Sequence, residues 1–183
     1  MAGEILDTAL HDGLERVLID EDALQRRVLE LGQEIGAYYG DRCPLLVGVL
    51  TGAFMFMADL SRAMAVPLRV DFMAVSSYGL GTTTSGAVRI LKDLDRSIEG
   101  EDLLVVEDII DSGLTLEYLL DGLRRRNPAD VRLVALLTKT RERTAIVRPD
   151  WVGFEIPDAF VVGYGLDVAG RYRNLPFIAV ART

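Results

Sequence analysis

Residues Leu103 to Thr115 have the sequence LLVVEDIIDSGLT, in which an apolar run is followed by acids and then by small polar residues. The uninterrupted run Leu103 to Val106 is typical of a strand that is buried on both faces. The periodic apolar residues of 115–126 predict a helix, which ends at Asn127 and Pro128. Because a buried strand leads directly into a helix, this stretch predicts one unit of a parallel sheet covered by helices.

The same alternation of strands and helices extends to both sides of residues 103–115. Helices are predicted at 20–39, with Asp20 as the N-cap, and at 54–65. The pattern as a whole predicts an α/β fold, a mainly parallel twisted sheet with helices on both faces, whose ligands bind beyond the carboxyl ends of the strands. Short apolar runs predict the other strands of this fold at 45–50, 68–75, 88–91, 131–137, 151–155 and 160–162.

Acids and small polar residues between the strand and the helix form the most informative candidate site. A loop is predicted from 107 to 113, and the helix after it presents unpaired N–H groups that suit a phosphate. The acids Glu107, Asp108 and Asp111 suit a neighbouring group that is cationic or rich in hydroxyls, such as a ribose or a magnesium ion. The alternative is structural: Ser112 and its neighbours cap the helix, and the acids are solvated.

Length and composition limit the remaining possibilities. The 183 residues, half of them hydrophobic, suffice for one domain with a sizeable core, and the net charge of −8 argues against nucleic acid as a partner. A single cysteine, Cys43, excludes an internal disulfide, and we predict it to be buried. With one histidine, His11, a zinc site is disfavoured. Without a membrane-spanning run or a signal peptide, we expect a cytoplasmic protein that does not bind membranes.

Taken together, the motifs resemble those of type I phosphoribosyltransferases, and of their hypoxanthine-guanine branch in particular. Residues 103–115 are similar to the phosphoribosyl-diphosphate motif of the family, and the pair Glu107-Asp108 followed by Asp-Ser-Gly is typical of the branch. Residues 76–79 and 88–95 resemble the lid of the bacterial members and the strand after it. Residues 160–167 resemble the purine-binding segment, and the likeness extends over nearly the whole chain.

The resemblance implies a fold and an activity. The fold would be a single phosphoribosyltransferase domain over 1–183, with a small hood from about 1–18 and 150–183 and a mobile lid over 76–87. The enzyme would act in purine salvage, with Mg²⁺, and transfer ribose 5-phosphate from phosphoribosyl diphosphate to hypoxanthine or guanine. A homodimer or homotetramer is also implied. Two alternatives remain open, a xanthine-preferring transferase and a non-catalytic regulator that senses phosphoribosyl diphosphate.

The resemblance also implies roles for individual residues. Asp111 would be the general acid/base at the purine ring, while Glu107 and Asp108 would hold the ribose hydroxyls, directly or through metal and water. Lys139 would donate to the 6-oxo oxygen and so exclude adenine, which carries an amino group there. The other implied contacts are a 5-phosphate cradle of Asp111, Ser112, Gly113, Leu114 and Thr115, purine contacts by Phe160, Val161 and the magnesium ligand Asp167, diphosphate contacts by Thr51, Gly52 and Arg173, and lid residues Ser77 and Tyr78.

One position departs from the family pattern. A long basic residue often follows the strand 45–50 in the family, whereas this chain has Thr51. The charge near the diphosphate is therefore missing or supplied elsewhere, and backbone N–H groups of 51–53 would carry more of the binding. The resemblance further implies a cis peptide bond between Leu50 and Thr51, although no proline follows.

Overall fold

The computed structural model describes residues 13–77, 88–140 and 147–182, and these residues form two sheets and three helices. In chain order the elements are β1 Leu14–Ile19, α1 Glu21–Tyr39, β2 Leu45–Leu50, α2 Phe54–Ala63, β3 Arg69–Ser77, β4 Val88–Lys92, β5 Asp102–Ile110, α3 Leu114–Arg124, β6 Asp130–Lys139, β7 Trp151–Ile156, β8 Val161–Val162 and β9 Ile178–Ala181. The larger sheet has the order β4-β3-β2-β5-β6-β7, and only β4 runs antiparallel to its neighbour.

Strand β5 lies inside the large sheet, and its side chains alternate between two hydrophobic cores. Leu104 and Val106 pack in the core that contains residues of α1 and α2. Leu103 and Val105 pack in the core on the other face, which contains residues of α3. Successive residues of a strand point to opposite faces, so an uninterrupted apolar run fills both cores at once. The predicted α/β fold with helices on both faces is confirmed.

Helix α1 has the boundaries that its sequence predicts. The Asp20 carboxylate accepts a hydrogen bond from the N–H of Ala23 at 2.8 Å, which caps the first turn. The helix ends at Gly40, where the backbone turns to a φ of +57°. Residues with a side chain rarely adopt that conformation, which explains the glycine. Between these ends a buried stripe of residues spaced three and four apart packs against the sheet.

A second, antiparallel sheet joins both terminal parts of the described chain. Its order is β1-β9-β8, so residues 14–19 pair with 178–181, which pair in turn with Val161 and Val162. Leu14, Val162 and Ala179 belong to a small core of their own. Neither β1 nor β9 is predicted from the sequence, because both are short and Glu15 and Arg16 interrupt the apolar pattern of β1.

The large sheet extends further toward its carboxyl edge than the sequence predicts. Strand β5 continues to Ile110 instead of ending at Val106, and its last residues pair with Leu137 and Thr138 of β6. Glu107 and Asp108 are therefore strand residues rather than loop residues, and the predicted loop is correspondingly shorter. Helices α2 and α3 end at Ala63 and Arg124, two residues before their predicted ends.

Other predictions concern residues at the surface or outside the described ranges. Cys43 is exposed, so the prediction of a buried thiol is wrong; it precedes β2 at the edge of the sheet, outside the buried run. Strand β3 reaches Ser77, but the rest of the predicted lid, including Tyr78, lies outside the described residues, as does His11. None of the helices in the described part of the chain combines the length and apolar character needed to cross a bilayer.

Candidate active site

The carboxyl ends of the central strands surround a cavity of about 340 Å³, called here the main cavity. This is the edge at which open α/β sheets bind their ligands. The turn after β2, the ends of β5 and β6, and the segment from β8 to β9 all contribute. The lining residues are Thr51, Gly52, Asp108, Ile109, Asp111, Lys139, Ala159, Phe160, Val161, Leu166, Asp167 and Arg173.

A second cavity of about 160 Å³, called here the helix cavity, lies at the N-terminus of α3. It shares Ile109 and Asp111 with the main cavity, so the two are neighbours. Ser112, Gly113 and Thr115 also line it, whereas Leu114, the first residue of α3, does not. The N-cap is Gly113, with a φ of +78°, and it supplies no side-chain hydrogen bond to the first turn. Ser112 is therefore not the helix cap, and the helix start suits an anion.

Glu107 and Asp108 point to opposite faces of the sheet because they are consecutive strand residues. Asp108 lines the main cavity and Glu107 lines the helix cavity. Burial, reinforced by the charge of Asp108, raises the pKa of Glu107, and its Oε2 is enclosed without a hydrogen-bond partner. Burial also raises the pKa of Asp108 to about 6, although its Oδ1 accepts a hydrogen bond from the N–H of Ile109 at 2.7 Å. The positive charge of Arg173 lowers the pKa of Asp108 in part but does not offset the effect of burial.

The raised pKa of Asp108 predicts a pH-dependent stability cost in the ligand-free protein. The folded state binds the carboxyl proton of Asp108 more tightly than the unfolded chain does. The stabilisation of the fold by this proton is therefore complete below about pH 4 and is lost as the pH rises through about 6. We expect Asp108→Asn to raise the free energy of unfolding at pH 8 by about 1–3 kcal/mol and to change it little at pH 4. Urea unfolding in chelator at the two pH values measures this; an equal effect at both would contradict it.

Lys139, the last residue of β6, brings a positive charge to the main cavity. Its side chain is only 11% exposed, and its Nζ lies 3.5 Å from Oδ2 of Asp111 and 3.0 Å from Oδ1 of Asp158. Phe160 lines the same cavity with 48% of its surface exposed, whereas phenylalanine side chains are mostly buried. Val161 begins β8 beside it. The predicted acid/base Asp111 and the four predicted purine contacts, which include Asp167, therefore all line the main cavity.

Two glycines allow the loops around the main cavity to approach each other closely. A Cβ atom on Gly52 would lie 1.5 Å from Oδ2 of Asp108, and one on Gly165 would lie 2.1 Å from the carbonyl oxygen of Gly52. Gly165 also has a φ of +101°, which favours glycine. The peptide bond between Leu50 and Thr51 is cis, as expected, and Thr51 and Gly52 both line the main cavity.

Asp167 and Arg173 form an ion pair at the wall of the main cavity. Arg173 Nη2 lies 2.6 Å from Asp167 Oδ1, and its Nη1 donates to the carbonyl oxygen of Gly165 at 2.5 Å. The other oxygen of Asp167 accepts a hydrogen bond from the N–H of Gly170 at 2.7 Å. These bonds hold both side chains at the cavity, where a ligand carrying phosphates would meet one cationic and one anionic group.

Two polar residues near the site are not predicted from the sequence. Asp158 contacts Lys139, and the hydroxyl of Tyr164 donates to Oδ2 of Asp59 at 2.5 Å, which ties the segment after β8 to helix α2. Burial raises the pKa of Tyr164 far above its ordinary value. The contact of Tyr164 joins residues 105 positions apart, and that of Asp158 depends on the pairing of β6 with β7, so no local spacing signals either one. The only local signal for Asp158 is its place between a strand and an exposed aromatic residue.

Comparison with known proteins agrees with this geometry. Residues 19–169 match the profile of the phosphoribosyl transferase domain. The chain is 55% identical over 172 residues to the hypoxanthine-guanine phosphoribosyltransferase of Bacillus subtilis (strain 168), a match that covers 94% of this chain and 95% of that protein. The protein of the same name from Mycobacterium avium is 51% identical over 171 residues, covering 90% of this chain and 84% of that one. A crystal structure of a hypoxanthine phosphoribosyltransferase from Staphylococcus aureus has a TM-score of 0.92 and 41% identity, and the match covers 97% of this chain and 96% of that one. The chain belongs to the phosphoribosyltransferase family, in its hypoxanthine-guanine branch.

Proposed function

We propose that the protein transfers ribose 5-phosphate from phosphoribosyl diphosphate to hypoxanthine or guanine, giving IMP or GMP and diphosphate. The observation that carries this proposal is the position of Asp111. Its side chain lines both cavities and lies 3.5 Å from Lys139, so one carboxylate adjoins a phosphate site and a base site together. A proton-transfer group for a reaction between sugar phosphate and base needs this position.

In the main cavity, the base would be held by stacking on one face and by hydrogen bonds at its edge. The exposed ring of Phe160 is available for stacking, and Val161 offers its backbone groups beside it. Lys139 has only N–H donors, so it pairs with a 6-oxo oxygen and is repelled by a 6-amino group. Asp111 would exchange a proton with a nitrogen of the imidazole ring.

In the helix cavity, the 5-phosphate would bind the N–H groups and hydroxyls at the start of α3, from Asp111 to Thr115. The ribose would lie between the cavities, where Glu107 and Asp108 can accept hydrogen bonds from its hydroxyls. When ionised, both acids would also stabilise the positive charge that develops on the ribose as diphosphate leaves. Thr51, Gly52 and Arg173 would contact the diphosphate, with Arg173 supplying the positive charge that Thr51 lacks.

The acids around the ribose suit Mg²⁺. Among the described residues no three acids, histidines or cysteines are close enough to enclose a metal ion, and a site of one or two carboxylates completed by phosphate oxygens is the usual arrangement for magnesium. Asp167 and Asp108 share the main cavity, and the unpartnered Oε2 of Glu107 is another hard oxygen donor nearby. Asp167 would be the direct ligand. When bound, the ion neutralises charge on the leaving diphosphate.

The remaining proposals concern the surroundings of the site. The small sheet β1-β9-β8 would form the hood over the base, and the segment 76–87, Ser77 and Tyr78 included, would form a lid that excludes water during transfer. We further propose a homodimer or homotetramer that acts in the cytoplasm. Neither nucleic acid nor membrane is expected as a partner of this acidic chain.

Base selection provides the direct test. With phosphoribosyl diphosphate and Mg²⁺, we expect hypoxanthine and guanine to be converted to IMP and GMP and adenine to be converted at least about 100-fold less efficiently, because Lys139 can only donate. Chromatography of the nucleotides formed measures this. Efficient conversion of adenine would remove Lys139 from the base site. A kcat/KM higher for xanthine than for both other bases would establish the xanthine-preferring alternative, and binding without turnover would establish a regulator.

A further inference from the structure

Asp158 and Lys139 meet at the ends of neighbouring parallel strands. Lys139 ends β6 and pairs with Ile156, which ends β7, and Asp158 follows two residues later. The Nζ of Lys139 lies 3.0 Å from Oδ1 of Asp158, closer than it lies to Asp111. The lysine is largely enclosed, whereas the Asp158 side chain is 50% exposed. Asp158 therefore contacts the ammonium group without lining the main cavity, whereas Asp111 does line it.

The backbone around Asp158 is fixed by short-range hydrogen bonds. The N–H of Ala159 donates to the carbonyl oxygen of Pro157 at 2.8 Å, which closes a three-residue turn with Asp158 at its centre. The N–H and the hydroxyl of Thr140 both donate to the carbonyl oxygen of Ile156, at 2.9 and 3.2 Å. These bonds join the residue after Lys139 to the residues before Asp158, so the two side chains start from a fixed separation.

A lysine that recognises a base needs such a support. Its ammonium group is a point charge on a flexible four-carbon stem, and its three N–H donors have no fixed direction. Without the charge of Asp158, the remaining carboxylate in contact with Lys139 among the described residues is that of Asp111, and a closer pair with Asp111 would turn the donors away from the base. Among the described residues, Lys139 lines the main cavity and Asp158 does not.

We propose that Asp158 is a positioning residue that sets base specificity by holding the Lys139 ammonium group between itself and Asp111, with one donor left for the 6-oxo oxygen of the base. The inference rests on the proposed function, and it extends the base site to a residue that touches no substrate. Loss of the Asp158 charge is expected to weaken recognition of the 6-oxo group while leaving the phosphate and diphosphate contacts intact.

A double-mutant cycle separates this role from a merely structural one. We expect Asp158→Asn to raise the KM for hypoxanthine about tenfold, to change kcat by no more than about threefold, and to leave the KM for phosphoribosyl diphosphate unchanged. In a Lys139→Met background, the same substitution is expected to have no further effect on the KM for hypoxanthine, because its partner is already absent. Asp158→Ala, taken through the same cycle, covers the case in which Asp158→Asn does not fold.

The control variant is Asp121→Asn, which removes a similarly exposed, ion-paired carboxylate from α3; it is expected to behave as the wild type. An unchanged KM for hypoxanthine in both Asp158 variants would overturn the inference, as would an equal effect of either variant with and without Lys139. Because the wild type is assayed alongside, the two proposals fail separately. If the wild type forms no IMP, both are overturned; if it forms IMP and the Asp158 variants match it, only the positioning role is overturned.

Discussion

Asp111→Asn is expected to lower kcat for IMP formation by about 100-fold or more, because asparagine has nearly the same shape but cannot exchange a proton. The affinity for phosphoribosyl diphosphate is expected to change little, since the backbone N–H groups at the start of α3 remain in place. Initial-rate kinetics give kcat, and titration calorimetry with phosphoribosyl diphosphate and Mg²⁺ gives the affinity.

The comparison variant for this experiment is again Asp121→Asn, which makes the same chemical change on the exposed side of α3, where 54% of the side chain is accessible. It is expected to retain the wild-type kcat. An Asp111→Asn enzyme with near-normal kcat would show that proton transfer does not depend on this carboxylate. A loss confined to affinity would instead assign Asp111 to the phosphate cradle alone.

Gly165→Ala is expected to damage both stability and activity. The added methyl group would lie 2.1 Å from the carbonyl oxygen of Gly52, and alanine is unfavourable at a φ of +101°. Because neither backbone can yield without moving the cavity wall, we expect the free energy of unfolding to fall by about 2–4 kcal/mol. We also expect kcat/KM for phosphoribosyl diphosphate to fall about 100-fold, since a displacement of about 1 Å in such a site has effects of this size.

Gly100→Ala separates the two causes. Gly100 has a φ of +74°, also in the left-handed region, but a Cβ atom there meets nothing within 4 Å. This variant is expected to lose only the backbone contribution, about 1–2 kcal/mol, and to keep its activity. Urea unfolding and initial-rate kinetics of the two variants provide the comparison. If Gly165→Ala loses no more stability than Gly100→Ala and stays active, the close approach of the two loops is not needed for function.

The elements best predicted from the sequence are those with a strong local pattern. Strand β2 has its predicted boundaries because all of its residues are apolar and a turn follows, and α1 is marked by Asp20 and Gly40 at its two ends. The strands of the small sheet lack such a pattern. β1 has two adjacent charged residues, Glu15 and Arg16, among four apolar ones, and its pairing partner β9 lies more than 150 residues away in the chain.

The candidate site shows the same division. The residues that line the helix cavity come from one continuous stretch, so the acids and the phosphate-binding helix start could be predicted together. Contacts such as Lys139 with Asp158, or Tyr164 with Asp59, depend on which strand ends lie side by side, which the spacing of residues does not specify. The extension of β5 to Ile110 is not predicted for a related reason. Acidic residues are rare in strands, so Glu107 and Asp108 favour a loop unless cavities at the sheet edge accommodate their side chains.

Because Glu107 and Asp108 point in opposite directions, the number of residues that precede them in β5 matters as much as their identity. Inserting one uncharged residue between Val106 and Glu107, or deleting Val106, would turn every later side chain of β5 to the other face of the sheet, so the two acids would exchange cavities. The net charge of the chain would be the same after such a change, yet Glu107 would face the main cavity and Asp108 the helix cavity. We therefore expect single-residue insertions at this strand end to abolish activity, even at positions where single substitutions retain measurable activity.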